Sequence, residues 1–379
     1  MRIKNVVRNF VWDNLKNVRG TRTNKKYIAF AVDDYGNVRV DSKVARSEMN
    51  NKGLRIHNIF DAYDSLETAQ DLEMLFEVLH SVKDSNGHPA IFTPFALPCN
   101  LNFEHIIESN FDSFQIETLP ETYKKLNQSK YSKTWELWKE GINGGYFVPA
   151  FHGREHLNLK LFIEKLKCKD RDLVISIYNR SLSSITSDRY PTISYTAAFD
   201  FWHINDNYEL ENIIESGVNY FEKVFGFKTN HFNAPGGREN IILHRKLADV
   251  GIRFIDSPII KREHQGEGKY LTRFNYLGKN TKYGQKICVR NCVFEPASNK
   301  TDSINLVLKQ IERAFLWNKP AIISSHRVNF CGNISEENRK NSLVELSTLL
   351  KMIVKKWPDV EFINSSKLCE IIFNNNESL

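Results

Sequence analysis

"KYIAFAVDDYG", residues 26–36, sets an unbroken apolar run, Tyr27 to Val32, directly against two adjacent aspartates. Such a run reads as a strand buried on both faces, the kind found in parallel sheets. Asp-rich turns also form for purely local reasons. Here, however, Asp33 and Asp34 stand at the edge of a core, where a carboxylate needs a partner or an ion.

Outward from this stretch, strand-like runs alternate with helical patterns. "LETAQDLEMLFEVLHSV" (66–82) spaces its apolar residues by three and four and predicts a helix. "HPAIFTPFALP" (88–98) and "GGYFVPAFHG" (144–153) read as strands, with the helix "LNLKLFIEKLKC" (157–168) behind them. "ELENIIESGVNYFEKVFG" (209–226) is a helix that closes on Gly226, where a left-handed cap suits glycine. "TNHFNAPGG" (229–237), "IRFIDSP" (252–258), "KICVRNCVFEP" (286–296) and "PAIISSH" (320–326) read as further strands. The order argues for an α/β fold with a parallel sheet or barrel. The polar groups gather just past the strand ends: Asp33-Asp34, His152-His156, Asn233 to Arg238, Asp256 and His326. In an α/β barrel that face collects catalytic groups from several strands.

Composition bounds the partners. The 379 residues are 41% hydrophobic and 12% aromatic, which fits a folded chain with a large core. The net charge of +7 is diluted by 45 acids, so no nucleic-acid partner is expected. Six thinly spread cysteines contain no C-x-x-C pair and read as buried, reduced thiols. No run approaches the ~18 apolar residues of a membrane span, and no secretory signal is recognisable, so a cytoplasmic location is expected. Residues 1–25 form a separate basic amphipathic helix ahead of a domain at 26–379. Its apolar stripe (Ile3, Val6, Val7, Phe10, Val11, Leu15, Val18) is expected to dock on its own domain, with peripheral membrane contact through residues 1–20 as the second reading.

"FHGREH" (151–156) places two histidines four apart, a spacing that converges on one ion if the strand end turns into a helix. One carboxylate with two imidazoles makes a divalent site with open positions, and Asp33 or Asp34 can supply the oxygen. "HGREH" also matches a zinc-protease string with Glu155 as base, but that motif belongs inside a helix, and Gly153 argues for a corner.

In order, "AFAVDD", "FHGREH", "FNAPGG" and "IISSH" resemble the motifs of the polysaccharide deacetylase family, also called NodB-homology or family 4 carbohydrate esterases. The likeness spans roughly residues 26 to 372. It implies a distorted (β/α) barrel of that type with insertions. It also implies a divalent metal, zinc by expectation, on Asp34, His152 and His156. Asp33 becomes the base acting on a metal-bound water, and His326 the acid that protonates the leaving amine. The Gly236 backbone N–H would steady the oxyanion. The implied activity is removal of an acyl (acetyl) group from an amino sugar or glycan precursor. Two departures stand out. Asn233 occupies the position of the arginine that steadies the base, and Arg238, five residues on, is the expected substitute. The fourth motif is poorly matched, with Asp256 its candidate. An inserted stretch carries Trp135 and Trp138, which either stack on sugar rings or pack. Two other classes stay open: a degenerate barrel that binds glycan or a partner, and a glycoside hydrolase pairing Asp33 with Asp200 or Asp256.

Overall fold

The computed structural model describes residues 2–54, 58–298 and 302–374. Thirteen strands are described: β1 Lys26–Tyr35, β2 Phe92–Ala96, β3 Cys99–Leu101, β4 Ile116–Thr118, β5 Ala150–Phe151, β6 His231–Asn233, β7 Phe254–Asp256, β8 Ile260–Gly266, β9 Lys269–Phe274, β10 Lys286–Cys288, β11 Cys292–Val293, β12 Ala321–His326 and β13 Val360–Phe362. Nine of them form one parallel sheet in the order β10-β7-β6-β5-β2-β1-β12-β11, with β13 alongside the start of β1. Strands β3 and β4 pair antiparallel within the insertion, and β8 and β9 form a separate hairpin.

The run 286–296, expected as one strand, is two strands at opposite ends of the sheet order, joined by Val289–Asn291. Eight strands laid flat at ~4.8 Å would hold these edges roughly 34 Å apart. Four Cα steps from Cys288 to Cys292 reach at most ~14 Å. The sheet therefore curls almost upon itself, and this is the distorted (β/α) barrel expected from the sequence.

Strand β1 lies at the centre, with Ile28 to Val32 fully buried. Helices Ala69–His80, Asn207–Phe225, Ser303–Leu316 and Glu336–Lys356 pack around the sheet. The 209–226 pattern ends as expected, with Gly226 left-handed at φ 82°. Trp138 is fully buried and its indole N–H reaches Glu67 (3.1 Å), while Trp135 packs on Phe225. Neither is placed to stack on a sugar. Five of the six cysteines are buried as expected, but Cys168 is exposed.

A fully buried arginine, Arg327, follows His326 on β12 and ties the insertion to the sheet. Its guanidinium takes Asp64 in a two-pronged pair (3.0 and 3.0 Å) and Glu67 at 2.9 Å. Glu67 also accepts from Tyr123, Trp138 and the Gly36 backbone. Burial raises the Asp64 carboxyl to about 6, against the pull of Arg327. Removing one partner from such a pair leaves uncompensated charge in the interior. Arg327→Met is expected to cost ~3–5 kcal/mol. Without the cation, burial acts unopposed on Asp64, which holds its proton to higher pH in the folded state than in the unfolded one. The loss is therefore smaller at about pH 5 than at about pH 8, as denaturant titrations at the two pH values would record.

Candidate metal-dependent active site

The sequence-predicted residues meet at the C-terminal ends of the central strands. Register places Asp33 beside His326 across β1 and β12, and Asn233 beside Asp256 across β6 and β7. In a regular strand, consecutive side chains point to opposite faces. The pairing of β1 with β2 shifts register between Val32 and Tyr35, and Asp34 adopts φ 76°. This bulge lets both aspartates reach the same side of the sheet. A left-handed non-glycine residue is a strained conformation of the type concentrated at functional sites.

Asp34 faces the two histidines: its Oδ1 lies 3.4 Å from His152 Nε2 and 2.9 Å from His156 Nε2. The two histidines lie in the corner that Gly153 led one to expect, ahead of the helix and not within its first turn. Residues 152–158 form a bend after β5, and the helix begins at Leu159. Gly153, at φ 120°, makes that bend, with Phe199 packed so close that a Cβ would meet it at 3.2 Å. Glu155 is held by Arg154 (2.5 and 3.0 Å) and points to no reacting group.

The hydrogen bonds test whether a cation fits. His152 Nδ1 lies 2.8 Å from the Asn233 carbonyl, so it carries the proton and donates it. Nε2 is then a bare lone pair, buried and without a hydrogen-bond partner among the described residues, turned toward a carboxylate. Burial lowers the His156 pKa against the pull of Asp34, favouring the neutral ring. The His152 lone pair and the Asp34 oxygen are acceptors turned toward one another, and they repel unless a cation lies between them. One oxygen and two nitrogens, mutually within 4.8 Å, suit a divalent transition ion.

Asp33 has other partners. Arg290, in the Val289–Asn291 link, pairs with both its oxygens (2.7 and 2.8 Å), and Asn233 donates to it at 3.0 Å. The same guanidinium reaches Asp256 through Nε (2.6 Å), and Asp256 in turn holds His231 at 2.7 Å. The predicted substitute, Arg238, lies elsewhere: it donates to the Thr192 carbonyl and to Asp200, 3.2 Å each. Arg290 was missed because it lies 57 positions beyond Asn233, inside an apparently continuous strand.

His326 sits at the cleft, its Nδ1 2.7 Å from Glu295 and its Nε2 3.9 Å from Asp33. Asn329 steadies Glu295 at 2.7 Å. Burial disfavours the imidazolium, but Glu295 outweighs burial and raises the pKa to about 10. Glu295 was also missed; it lies at the same "CVFEP" exit as β11. Gly236, at φ 66°, and His326 border both of two neighbouring cavities. One, of about 380 Å³, contains Asp34, His156 and Arg238; the other, of about 330 Å³, contains Asp33, Asp256 and Arg290. A larger surface cleft of about 770 Å³, beside Lys43 and Arg339, holds none of these groups.

No family model and no curated protein sequence matches the chain. Solved structures do. A provisionally named polysaccharide deacetylase from Mycobacterium smegmatis aligns over 94% of this chain and 92% of its own, at 12% identity and a TM-score of 0.43. A provisionally named glycoside hydrolase/deacetylase from Parabacteroides distasonis aligns over 93% and 72%, at 8% identity and a TM-score of 0.48. A 4-α-glucanotransferase from Thermococcus litoralis aligns over 91% of this chain and 40% of its own, at 10% identity and a TM-score of 0.43. Every one of these scores is below one half, so the chemistry has to be argued from the residues themselves.

Two outcomes are expected. Asp34→Ala and His156→Ala should each abolish high-affinity uptake of one divalent ion per chain, read by calorimetry with zinc. Arg290→Met, which strands two buried carboxylates, should cost ~3–5 kcal/mol in denaturant unfolding.

Proposed function

We propose that the chain is a metal-dependent hydrolase that removes an acyl group, acetyl foremost, from the nitrogen of an amino sugar or glycan precursor. One observation carries this reading. Two adjacent carboxylates are held in separate environments, one on a guanidinium and one on two imidazoles, beside a cationic histidine at the same cleft. A divalent ion on Asp34, His152 and His156, with zinc the expected metal, would supply positive charge that polarises an acyl carbonyl and makes water a better nucleophile.

The chain's own groups would do the rest. Asp33 takes a proton from the attacking water; Arg290 and Asn233 hold its two oxygens in place. His326, carrying the proton that Glu295 favours, gives it to the leaving nitrogen. Gly236 borders both cavities and is the candidate for steadying the developing oxyanion through its N–H. Asp256 acts through Arg290 and is a positioning residue. Arg238, at the cavity wall, is placed to meet substrate.

The competing classes fit less well. Asn233 in the arginine position would signal decay if nothing held Asp33, but Arg290 holds it from another part of the chain. A glycoside hydrolase needs opposed carboxylates with a sugar between them. Asp33 and Asp256 grip the same guanidinium, and Asp200 is bound to His264 at 2.7 Å.

The test is acetate release from N-acetylated amino sugars and their oligomers by the zinc-loaded protein. Asp33→Asn and His326→Ala should each lower kcat/KM by ~10²–10⁴-fold while still binding the ion. Undiminished activity in both variants, or no release from any acylated sugar, would overturn the reading. Glu295→Gln supplies a pH test. The acid form of His326 is present below its pKa, and losing the Glu295 charge lowers that pKa. The alkaline limb of the activity profile should therefore move to lower pH.

A further inference from the structure

The helix Arg2–Val18 is mounted the wrong way round for a domain-packing element. Its stripe of Asp13, Lys16 and Asn17 is buried: Asp13 binds Lys16 (2.6 Å), and Asn17 receives Asn291 at 2.8 Å. Trp317 donates to Asn14 at 3.1 Å. The opposite stripe is apolar and faces solvent, with Leu15 59% exposed and Val11 and Val18 also exposed, while Phe10, on the inner side, lies under the Arg313 guanidinium. The helix docks on its own domain as expected, but for residues 10–18 it does so through the polar stripe rather than through Val11, Leu15 and Val18; the side chains of residues 2–9 lie outside the described residues.

A second surface of the same character joins it. The Thr21 backbone N–H donates to the Leu277 carbonyl at 2.9 Å, so the end of this helix is fixed beside the segment that follows β9. That segment exposes Phe274 (67%), Tyr276 and Tyr283, and borders a cavity of about 390 Å³ with Ile241, Ile242, Lys279 and Lys282. Residues 10–26 hold five Lys and Arg against one acid, and residues 268–288 hold five against none, although Lys16, Lys25, Lys26, Lys269 and Arg273 are paired with Asp13, Glu361, Asp359, Glu267 and Glu263. These two segments exceed the whole chain's +7, so the remainder is net acidic.

We propose that this surface docks on an anionic lipid bilayer. Exposed apolar and aromatic side chains among cations match the boundary between acyl chains and negative headgroups, where each kind finds its own partner. The segregation of positive charge into the two apolar segments favours a lipid surface over a second copy of this chain, since two such faces would repel. The inference stands apart from the proposed hydrolase activity, because it uses none of the groups at the cleft.

The test is sedimentation of the full chain with vesicles of phosphatidylcholine alone or with added phosphatidylglycerol. Binding is expected only with phosphatidylglycerol, and it should weaken as salt is raised. Val11→Ser/Leu15→Ser and Lys269→Glu/Lys282→Glu should each reduce binding roughly tenfold or more, without lowering Tm, because these side chains are exposed. Absence of sedimentation with anionic vesicles, or equal binding by the variants, would overturn the proposal. So would dimerisation by light scattering that Val11→Ser/Leu15→Ser abolishes in a chain that ignores vesicles; that result would assign the face to a second copy.

Discussion

Three residues, Val289–Asn291, join the two edges of the sheet, and most of the site follows from that short link. A connection this brief forces the curl, and the curl brings the ends of β1, β6, β7 and β12 around one cleft. The link also carries Arg290 between the two edges, where a single guanidinium satisfies carboxylates from β1 and β7. Arginine suits this position because its planar fork offers five donors and stays charged. A lysine there would offer a point charge and could not hold both Asp33 oxygens and Asp256 in fixed directions. The face of Phe95, 4.7 Å from the guanidinium, closes the remaining side.

The adjacent aspartates show how one dipeptide acquires two chemistries. Sequence places them side by side, and the bulge at Asp34 sends both toward the cleft instead of to opposite faces. Their neighbours then separate them. Asp33 is locked by direct charge pairing, whereas Asp34 faces rings whose protons lie elsewhere or are disfavoured by burial.

Much of this was legible beforehand because it depends on short-range patterns. Apolar runs marked β1, β2, β6, β7 and β12, and the polar residues closing those runs are the residues that meet. What escaped depends on contacts distant in sequence. Nothing local distinguishes Arg290 or Glu295 from other charged residues near a strand, and their significance appears only when the sheet closes. The 286–296 run looked continuous because both halves are apolar; the turn between them comes from belonging to opposite edges. Gly153 already marks the corner that places His152 and His156, whereas their approach to Asp34 depends on the closed sheet. The N-terminal helix docks on its own domain, but which of its stripes turns inward is decided by hydrogen-bond partners distant in sequence, Asn291, Gln310 and Trp317.

Charge accounting around the cleft isolates the one group left wanting. Asp33 and Asp256 are anions balanced by Arg290 and by His231, which burial disfavours as a cation but Asp256 raises to about 9. Glu295 balances His326. Arg327 sits between Asp64 and Glu67, and Arg39 against Asp61. Among the described residues at the cleft, Asp34 is the carboxylate that faces rings rather than a fixed cation: His152 presents a lone pair, and burial favours the neutral form of His156. A buried carboxylate without a counter-charge is costly. Elsewhere around the cleft the chain meets that demand with an arginine or a histidinium. At Asp34 it offers two soft nitrogen donors, and a cation from solution is the charge that those donors and that oxygen are suited to hold together.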